Sequence, residues 1–367
     1  MVRAVVVDEP SGDWRIQEVN LAEPGTGEVL VRVDAVGLCR TDFSLGGGRL
    51  PQRFPFVPGH EGVGTVVTAG AGVRRVSPGD RVLFNWTGPC GACWFCERGQ
   101  SALCSSAVSN RRTERMTLPG GRKVQAAMGI GALAEQALVS EQSIVPFRSG
   151  LSDTVAATLG CGVATGFGAA SNTAAVVSGE TAVVIGAGGV GLTVIQTCVA
   201  LGAARVIAVD PSPERRELAL KLGAHEAHDP SAGLAGVVRE ATEGRGADHA
   251  FECVGTAATI RQAWGLTRRG GKVTVVGAGS TSDRLQFSAF ELFHSGRVLQ
   301  GAVFGDFEPA RDLGPLCDLV EAGRLGLGGA LDVHHGLDQV AEAVESFNSR
   351  RFARTVLLPT ADDRPSG

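Results

Sequence analysis

Hydrophobic and polar positions follow one rhythm up to about residue 162 and another after it. Before that point, short β-branched runs predict strands at Ala4–Val7, Val29–Val36, Gly64–Val67 and Arg81–Phe84, bounded by turn pairs such as Pro24-Gly25, Pro58-Gly59 and Pro78-Gly79. A strand-like pattern resumes at Gly131–Val139, and Val155–Gly168 is small and apolar enough to form a helix. Beyond Gly162, strands and helices alternate. Strands are predicted at Ala182–Ile185, Arg205–Val209, Ala247–Glu252, Lys272–Val276 and Val298–Val303. Helices are predicted in the run ending at Leu201, over Pro213–Leu222, around Val237–Thr242 and over Ala257–Leu266. This alternation is the mark of an α/β fold with a doubly wound parallel sheet, here following a compact, mainly β unit. Two further helices, near Leu313–Ala322 and Asp338–Phe347, and a strand at Ala353–Leu358 complete the pattern.

The first strand of the alternating region runs into Gly186-Ala187-Gly188-Gly189-Val190-Gly191, which fits G-x-G-x-x-G. A lone match in a chain with 52 glycines is weak. The strand before it, the helix after it and Asp210 at the end of the next strand make it specific. Gly186 serves the tight turn, Gly188 the approach of backbone N–H groups to a pyrophosphate, and Gly191 helix–strand packing. Asp210 can accept from both adenosine ribose hydroxyls and would repel a 2′-phosphate, so the expected cofactor is NAD. Arg215 and Arg216 fall where an adenosine rim would lie.

A length of 367 residues accommodates two domains. No apolar stretch reaches the roughly 20 residues of a membrane span. The opening Met1-Val2-Arg3-Ala4-Val5 lacks the parts of a signal peptide, so a cytoplasmic location is expected. The net charge of −4 offers nucleic acid or an anionic membrane no attraction.

Nine cysteines change the picture by their spacing. Cys90, Cys93 and Cys96 recur at intervals of three, with Cys104 eight residues on. Four thiolates so arranged can wrap one tetrahedral zinc, a closed structural site that staples a loop. Cys39, His60 and Cys161 offer two thiolates and an imidazole. Three ligands leave a fourth position open, as a catalytic zinc requires. Cys198, Cys253 and Cys317 lie in apolar surroundings and read as core filling.

These motifs together resemble the zinc-dependent medium-chain alcohol dehydrogenase family. The likeness runs nearly end to end, through Cys39-Arg40-Thr41-Asp42, Gly59-His60-Glu61-Gly62, the four-cysteine lobe, Gly160-Cys161-Gly162, the dinucleotide fingerprint and Arg354-Thr355. It implies a Rossmann NAD-binding domain, 163–302, inserted into a mainly β, GroES-like catalytic domain, 1–162 and 303–367. It also implies two zinc ions per chain, one on Cys39, His60 and Cys161. Asp42 then orients the zinc histidine, Glu61 lies beside the metal, and Thr41 receives the substrate's proton. Ser44 stands where many members end this relay with a histidine, which puts the relay's end in solvent or on a cofactor hydroxyl. Arg40 and Arg354 would hold the pyrophosphate. Thr165 and Val190 would press on the nicotinamide, with Gly189, Val254 and Val276 among the cofactor contacts. Trp86, Leu50 and Val303 would line the substrate pocket.

The resemblance implies hydride transfer between a primary alcohol/aldehyde pair and NAD, with zinc favouring the alkoxide. The alternative is NAD-dependent oxidation of a thiol–formaldehyde adduct of the S-hydroxymethyl mycothiol or glutathione type. Leu83-Phe84-Asn85-Trp86 and Met128–Leu133 resemble that branch, and Arg111, Arg112, Arg115 and Arg122 could hold its anionic carrier. Family members assemble as homodimers or homotetramers, with the strand near Val298–Val303 as the expected contact.

Overall fold

The computed structural model describes residues 1–107, 114–327, 331–349 and 351–360. The chain divides into two units, Met1–Cys161 with the segment from Leu327 onward, and Gly162–Gly326.

The first unit is built from strands β1 (Val2–Val7), β2 (Trp14–Leu21), β3 (Glu28–Gly37), β4 (Phe56–Val57), β5 (Glu61–Ala69), β6 (Arg81–Phe84), β7 (Met116–Thr117), β8 (Lys123–Ala126), β9 (Gln136–Ser140) and β10 (Ile144–Pro146). Strands β1, β2, β7, β8 and β4 close a small barrel, while β10, β6, β5 and β3 form a sheet with β9 also paired to β3. Their inward positions make a core of Val29, Val31, Val33, Val36, Phe84, Leu133 and Ile144. Burial of this set supplies the main stabilising term, about 25 cal/mol per Å² of apolar surface. Two short helices matter for the site, α1 (Arg40–Gly46), which follows β3, and α2 (Asp153–Ala156).

The helix expected over Val155–Gly168 is broken. After α2 the chain runs as a 3-10 turn, Ala157–Gly160. At Cys161 it leaves helical geometry (φ −143°, ψ −79°) before α3 (Gly162–Gly168) begins. A Cβ on Gly160 would lie 2.7 Å from the Phe84 carbonyl oxygen, so the chain presses against β6 and is deflected there. The periodic signal was right about apolar content and wrong about continuity.

The second unit is a six-stranded parallel sheet in the order β13 (Glu226–His228), β12 (Arg205–Val209), β11 (Thr181–Ile185), β14 (Ala247–Glu252), β15 (Thr267–Val275) and β16 (Val298–Gly301). Its helices include α4 (Gly189–Ala200), α5 (Pro213–Lys221), α6 (Leu234–Ala241), α7 (Ala257–Leu266), α8 (Ala289–Ser295) and α9 (Pro309–Glu321). All five residues of β11 are buried, the condition of a central parallel strand. Trp264 of α7 is fully buried among Val183, Ile207 and Val273.

The boundary expected at residue 303 moves. Residues 303–326 belong to the second unit, where Asn172 Nδ2 donates to Asp312 Oδ2 at 2.8 Å and Gly326 N donates to Gln196 Oε1 at 2.6 Å. The strand predicted to Val303 ends at Gly301, and Val303–Asp306 forms a tight turn. The chain then returns to the first unit through β17 (Leu331–His335), α10 (Val340–Ser349) and β18 (Arg354–Leu358), with β18 pairing antiparallel to β3. No single helix among the described residues is long and apolar enough to cross a membrane.

Asp248 joins the start of three strands. Its Oδ2 accepts from Thr181 N at 2.9 Å and its Oδ1 from Arg268 Nε at 2.6 Å. Burial opposes the charge, but these donors prevail and hold its carboxyl below the usual 3.8. A depressed folded-state value means stability present above pH 3.8 that is lost as pH falls through the folded value. Asp248→Asn is therefore expected to flatten the acid-unfolding curve below about pH 4, read by circular dichroism.

Candidate active site and cofactor site

Helix α1 begins at Cys39, whose extended backbone makes it the cap residue. Asp42, three residues on, reaches back so that its Oδ2 accepts from Cys39 N at 3.3 Å. The other oxygen, Oδ1, accepts from Gly59 N at 2.9 Å and lies 3.0 Å from His60 Nδ1. A carboxylate can only accept, so Nδ1 carries the proton and Nε2 presents its lone pair. That Nε2 is buried without a hydrogen-bond partner, an arrangement that costs free energy unless something else satisfies it.

The Sγ atoms of Cys39 and Cys161 and a ring nitrogen of His60 lie within 4.8 Å of one another. Protons are unevenly divided among them. The hydrogen bond from Cys161 draws the Cys39 thiol well below its ordinary value, against the effect of burial. The same bond, with burial, pushes Cys161 well up. Burial disfavours an imidazolium at His60, yet Asp42 and Cys39 outweigh it and raise its value. Two sulfurs and an imidazole are the donor set a soft divalent cation takes up, and its binding would release the protons held on Cys161 and on His60 Nε2. The residues fit zinc.

Glu61 is fully buried beside this cluster, and Arg354 Nη1 lies 3.7 Å from Glu61 Oε1. Arg354 was expected at a pyrophosphate; in the first unit its guanidinium is buried and reaches toward Glu61. Arg40 is exposed, with its guanidinium 4.9 Å from the Phe347 ring centre and 5.8 Å from that of Phe43. Thr41 and Ser44 stand three residues apart on α1 and so share a face. Trp86 packs on the Val29–Phe84 core, whereas Leu50 packs with Val7, Leu45 and Phe56. Val303 lies in the second unit, exposed.

The four-cysteine lobe converges as its spacing predicts, with all four Sγ atoms within 4.8 Å of one another. Cys93 Sγ is 3.6 Å from Cys96 Sγ and 3.9 Å from Cys104 Sγ. Backbone N–H groups of Cys96 and Ser105 lower Cys93 to about 6, while burial raises Cys96 to about 12. Amide donors already aimed at sulfur are what a thiolate-bound metal keeps around it.

In the second unit the fingerprint glycines have three separate roles. Gly186 takes φ +93°, closed to most side chains. A Cβ on Gly191 would lie 1.9 Å from the Gly186 carbonyl oxygen, so only glycine allows α4 to pack this closely on the turn after β11. A Cβ on Gly188 would meet nothing in the protein, and its backbone suits any residue. Nothing internal requires that glycine, and the open space beside it leaves room for a ligand against the backbone. Gly189 and Val190 open α4, and Gly166 of α3 packs against Val190 O and Thr193, next to buried Thr165.

Asp210 fastens this turn. Its Oδ2 accepts from Ala187 N at 2.8 Å and its Oδ1 from Ser212 N at 2.9 Å. Each oxygen retains a lone pair for a ribose hydroxyl. Arg215 is buried in α5. Val254 is exposed beyond β14, and Val276 follows β15, its N–H donating to the Glu252 carbonyl at 2.8 Å. Sequence reasoning missed Glu252, whose buried Oε1 accepts from Val254 N (2.8 Å), Gly255 N (2.7 Å) and Thr259 Oγ1 (2.8 Å) and so shapes the turn that carries Val254. An acid at the end of a predicted strand was the available signal.

Residues 189–321 match the family described as zinc-binding dehydrogenase, and residues 25–149 match the alcohol dehydrogenase GroES-like domain. The chain belongs to this zinc-dependent alcohol dehydrogenase family. It is an oxidoreductase of that class, with zinc and NAD as cofactors. An S-(hydroxymethyl)glutathione dehydrogenase of Photobacterium damsela subsp. piscicida is 34% identical over 97% of this chain and 99% of its own. An NDMA-dependent alcohol dehydrogenase of Amycolatopsis methanolica is 33% identical over 98% and 99%. Among solved structures, benzyl alcohol dehydrogenase from Acinetobacter calcoaceticus superposes with a TM-score of 0.91 at 27% identity, covering 98% of this chain and 99% of its own.

Gly188→Ala and Gly191→Ala should separate binding from folding. The first is expected to leave the unfolding midpoint nearly unmoved, within about 0.5 kcal/mol, while weakening NADH binding about tenfold. The second should cost about 1–3 kcal/mol of stability in a urea titration, through overpacking.

Proposed function

We propose that the chain interconverts primary alcohols and aldehydes with NAD, using Cys39, His60 Nε2 and Cys161 to hold the catalytic zinc. The observation that carries this is the buried His60 Nε2, left without a partner beside two thiols while Asp42 fixes the ring. With only these three protein donors, a bound zinc would remain open to the substrate. When bound, zinc supplies Lewis acidity and NAD accepts or returns hydride. Thr41 takes the hydroxyl proton and passes it along α1 toward Ser44. Serine relays a proton but does not store one near neutral pH, so the path ends in solvent or on a cofactor hydroxyl. Cys90, Cys93, Cys96 and Cys104 hold a second zinc that staples their loop.

The likeness to benzyl alcohol dehydrogenase supports a primary, including aromatic, alcohol. Oxidation of a thiol–formaldehyde adduct is the second reading, favoured by the relative of that activity. Of the arginines considered for its carrier, Arg115 is buried and committed to Glu28 Oε1 at 2.6 Å, so it does not serve. Arg122 is exposed, 3.4 Å from Asp8 Oδ1; Arg111 and Arg112 lie outside the described residues. We place the enzyme in the cytoplasm, where clustered reduced cysteines keep their metal. Pairing of two chains along β16, an edge strand of the sheet, suits a homodimer or homotetramer.

NAD reduction with benzyl and short primary alcohols, beside formaldehyde with and without small thiols, tests the choice. Turnover of free alcohols is expected; turnover confined to formaldehyde plus one thiol would transfer the assignment to the adduct. Cys39→Ser is expected to lower bound zinc from two ions to one and abolish turnover, as read by atomic absorption and NADH formation. Ser44→His should raise the rate below pH 7, and an unchanged profile would remove Ser44 from the proton path.

A further inference from the structure

A second acid, Asp229, stands beside Asp210 at the end of the neighbouring strand. Strands β12 and β13 pair in parallel with Val209 opposite His228, so Asp210 and Asp229 leave the sheet side by side. Asp210 N donates to the His228 carbonyl at 3.1 Å, which keeps the two strand ends together. Arg216, four residues into α5, reaches across both. Its Nη1 donates to the carbonyl oxygens of Asp210 (2.7 Å) and Pro211 (2.9 Å) and lies 3.2 Å from Asp229 Oδ2.

Asp229 is itself held in place. Its Oδ1 accepts from Ser231 N at 3.0 Å and Ser231 Oγ at 2.7 Å. Those bonds, with Arg216, keep its carboxyl below the ordinary value. A single nitrogen of Arg216, Nη1, thus meets both the two loop carbonyls and the Asp229 carboxylate.

A guanidinium beside a ribose-binding acid is the group that a 2′-phosphate would recruit, through two charge-assisted hydrogen bonds. In this chain that group is present, bonded to the Asp210 carbonyl, and its Nη1 is drawn to Asp229. We propose that Asp229 is a coenzyme-selecting residue, which holds Arg216 against the loop after β12 and so denies it to the 2′-phosphate of NADP. Asp229 acts through Arg216 and is a positioning residue; the idea rests on NAD binding beside Asp210. It predicts that discrimination is divided between repulsion by Asp210 and restraint of Arg216.

The test is equilibrium binding of NADH and NADPH by fluorescence titration on the full chain. Four proteins are compared: wild type, Asp229→Asn, Arg216→Gln and the double variant. Asparagine keeps an acceptor for Ser231 and removes the charge that restrains Arg216. The ratio of the NADPH to the NADH dissociation constant is expected to fall about two- to fivefold in Asp229→Asn. It should return to the wild-type value in the double variant, and Arg216→Gln alone should leave it there. An unmoved ratio in Asp229→Asn, or a fall that survives the loss of Arg216, overturns the proposal. Failure of the wild type to bind NADH would instead overturn the coenzyme reading itself.

Discussion

One carboxylate sets the geometry of the metal-binding side of this protein. Asp42 is fully buried, and it accepts from the N–H of Cys39, the N–H of Gly59 and the imidazole of His60. A buried anion is costly unless its lone pairs are filled by well-placed donors. Here the filling does structural work, because the donors come from the start of α1 and from the turn entering β5. Asp42 thereby ties the segments that carry Cys39 and His60 to each other and fixes the proton on His60 Nδ1. Cys161 joins them by a different route, where the chain leaves helical geometry beside the close packing of Gly160 on the Phe84 carbonyl.

The second unit has its own counterpart in Asp210. Its two oxygens accept from Ala187 inside the glycine turn and from Ser212 after β12, so one side chain couples the fingerprint to the neighbouring strand end. The glycines divide between folding and binding in a way that pattern matching cannot separate. Gly186 and Gly191 are required by backbone conformation and by a close carbonyl, whereas Gly188 faces open space and no internal contact requires it.

What was legible in the chain followed from how completely an element is buried. β11 and β12 are apolar throughout, or nearly so, and their limits agree with the expected ones to within a residue. β2 went unpredicted because Val19 is its one fully buried position among polar neighbours, which hides the alternation. β17 is partly exposed along its length and escaped for the same reason. The carrier role considered for Arg115 failed because an arginine's surroundings are not written in its neighbours; Glu28, 87 residues away, claims it.

By itself the sequence carried the candidate chemistry: two cysteines and a histidine in one set, four cysteines in another, and a glycine-rich turn followed by an acid. Those are local patterns, set by the spacing that a tetrahedral ion or a tight turn demands. Tertiary structure alone decided the break at Cys161, the allegiance of residues 303–326 to the second unit, the burial of Arg354 near Glu61 and the restraint of Arg216 by Asp229. Each depends on contact between segments distant in the chain or on neighbouring strands, where the deciding quantity is packing distance. No period or spacing along one strand of sequence encodes that distance.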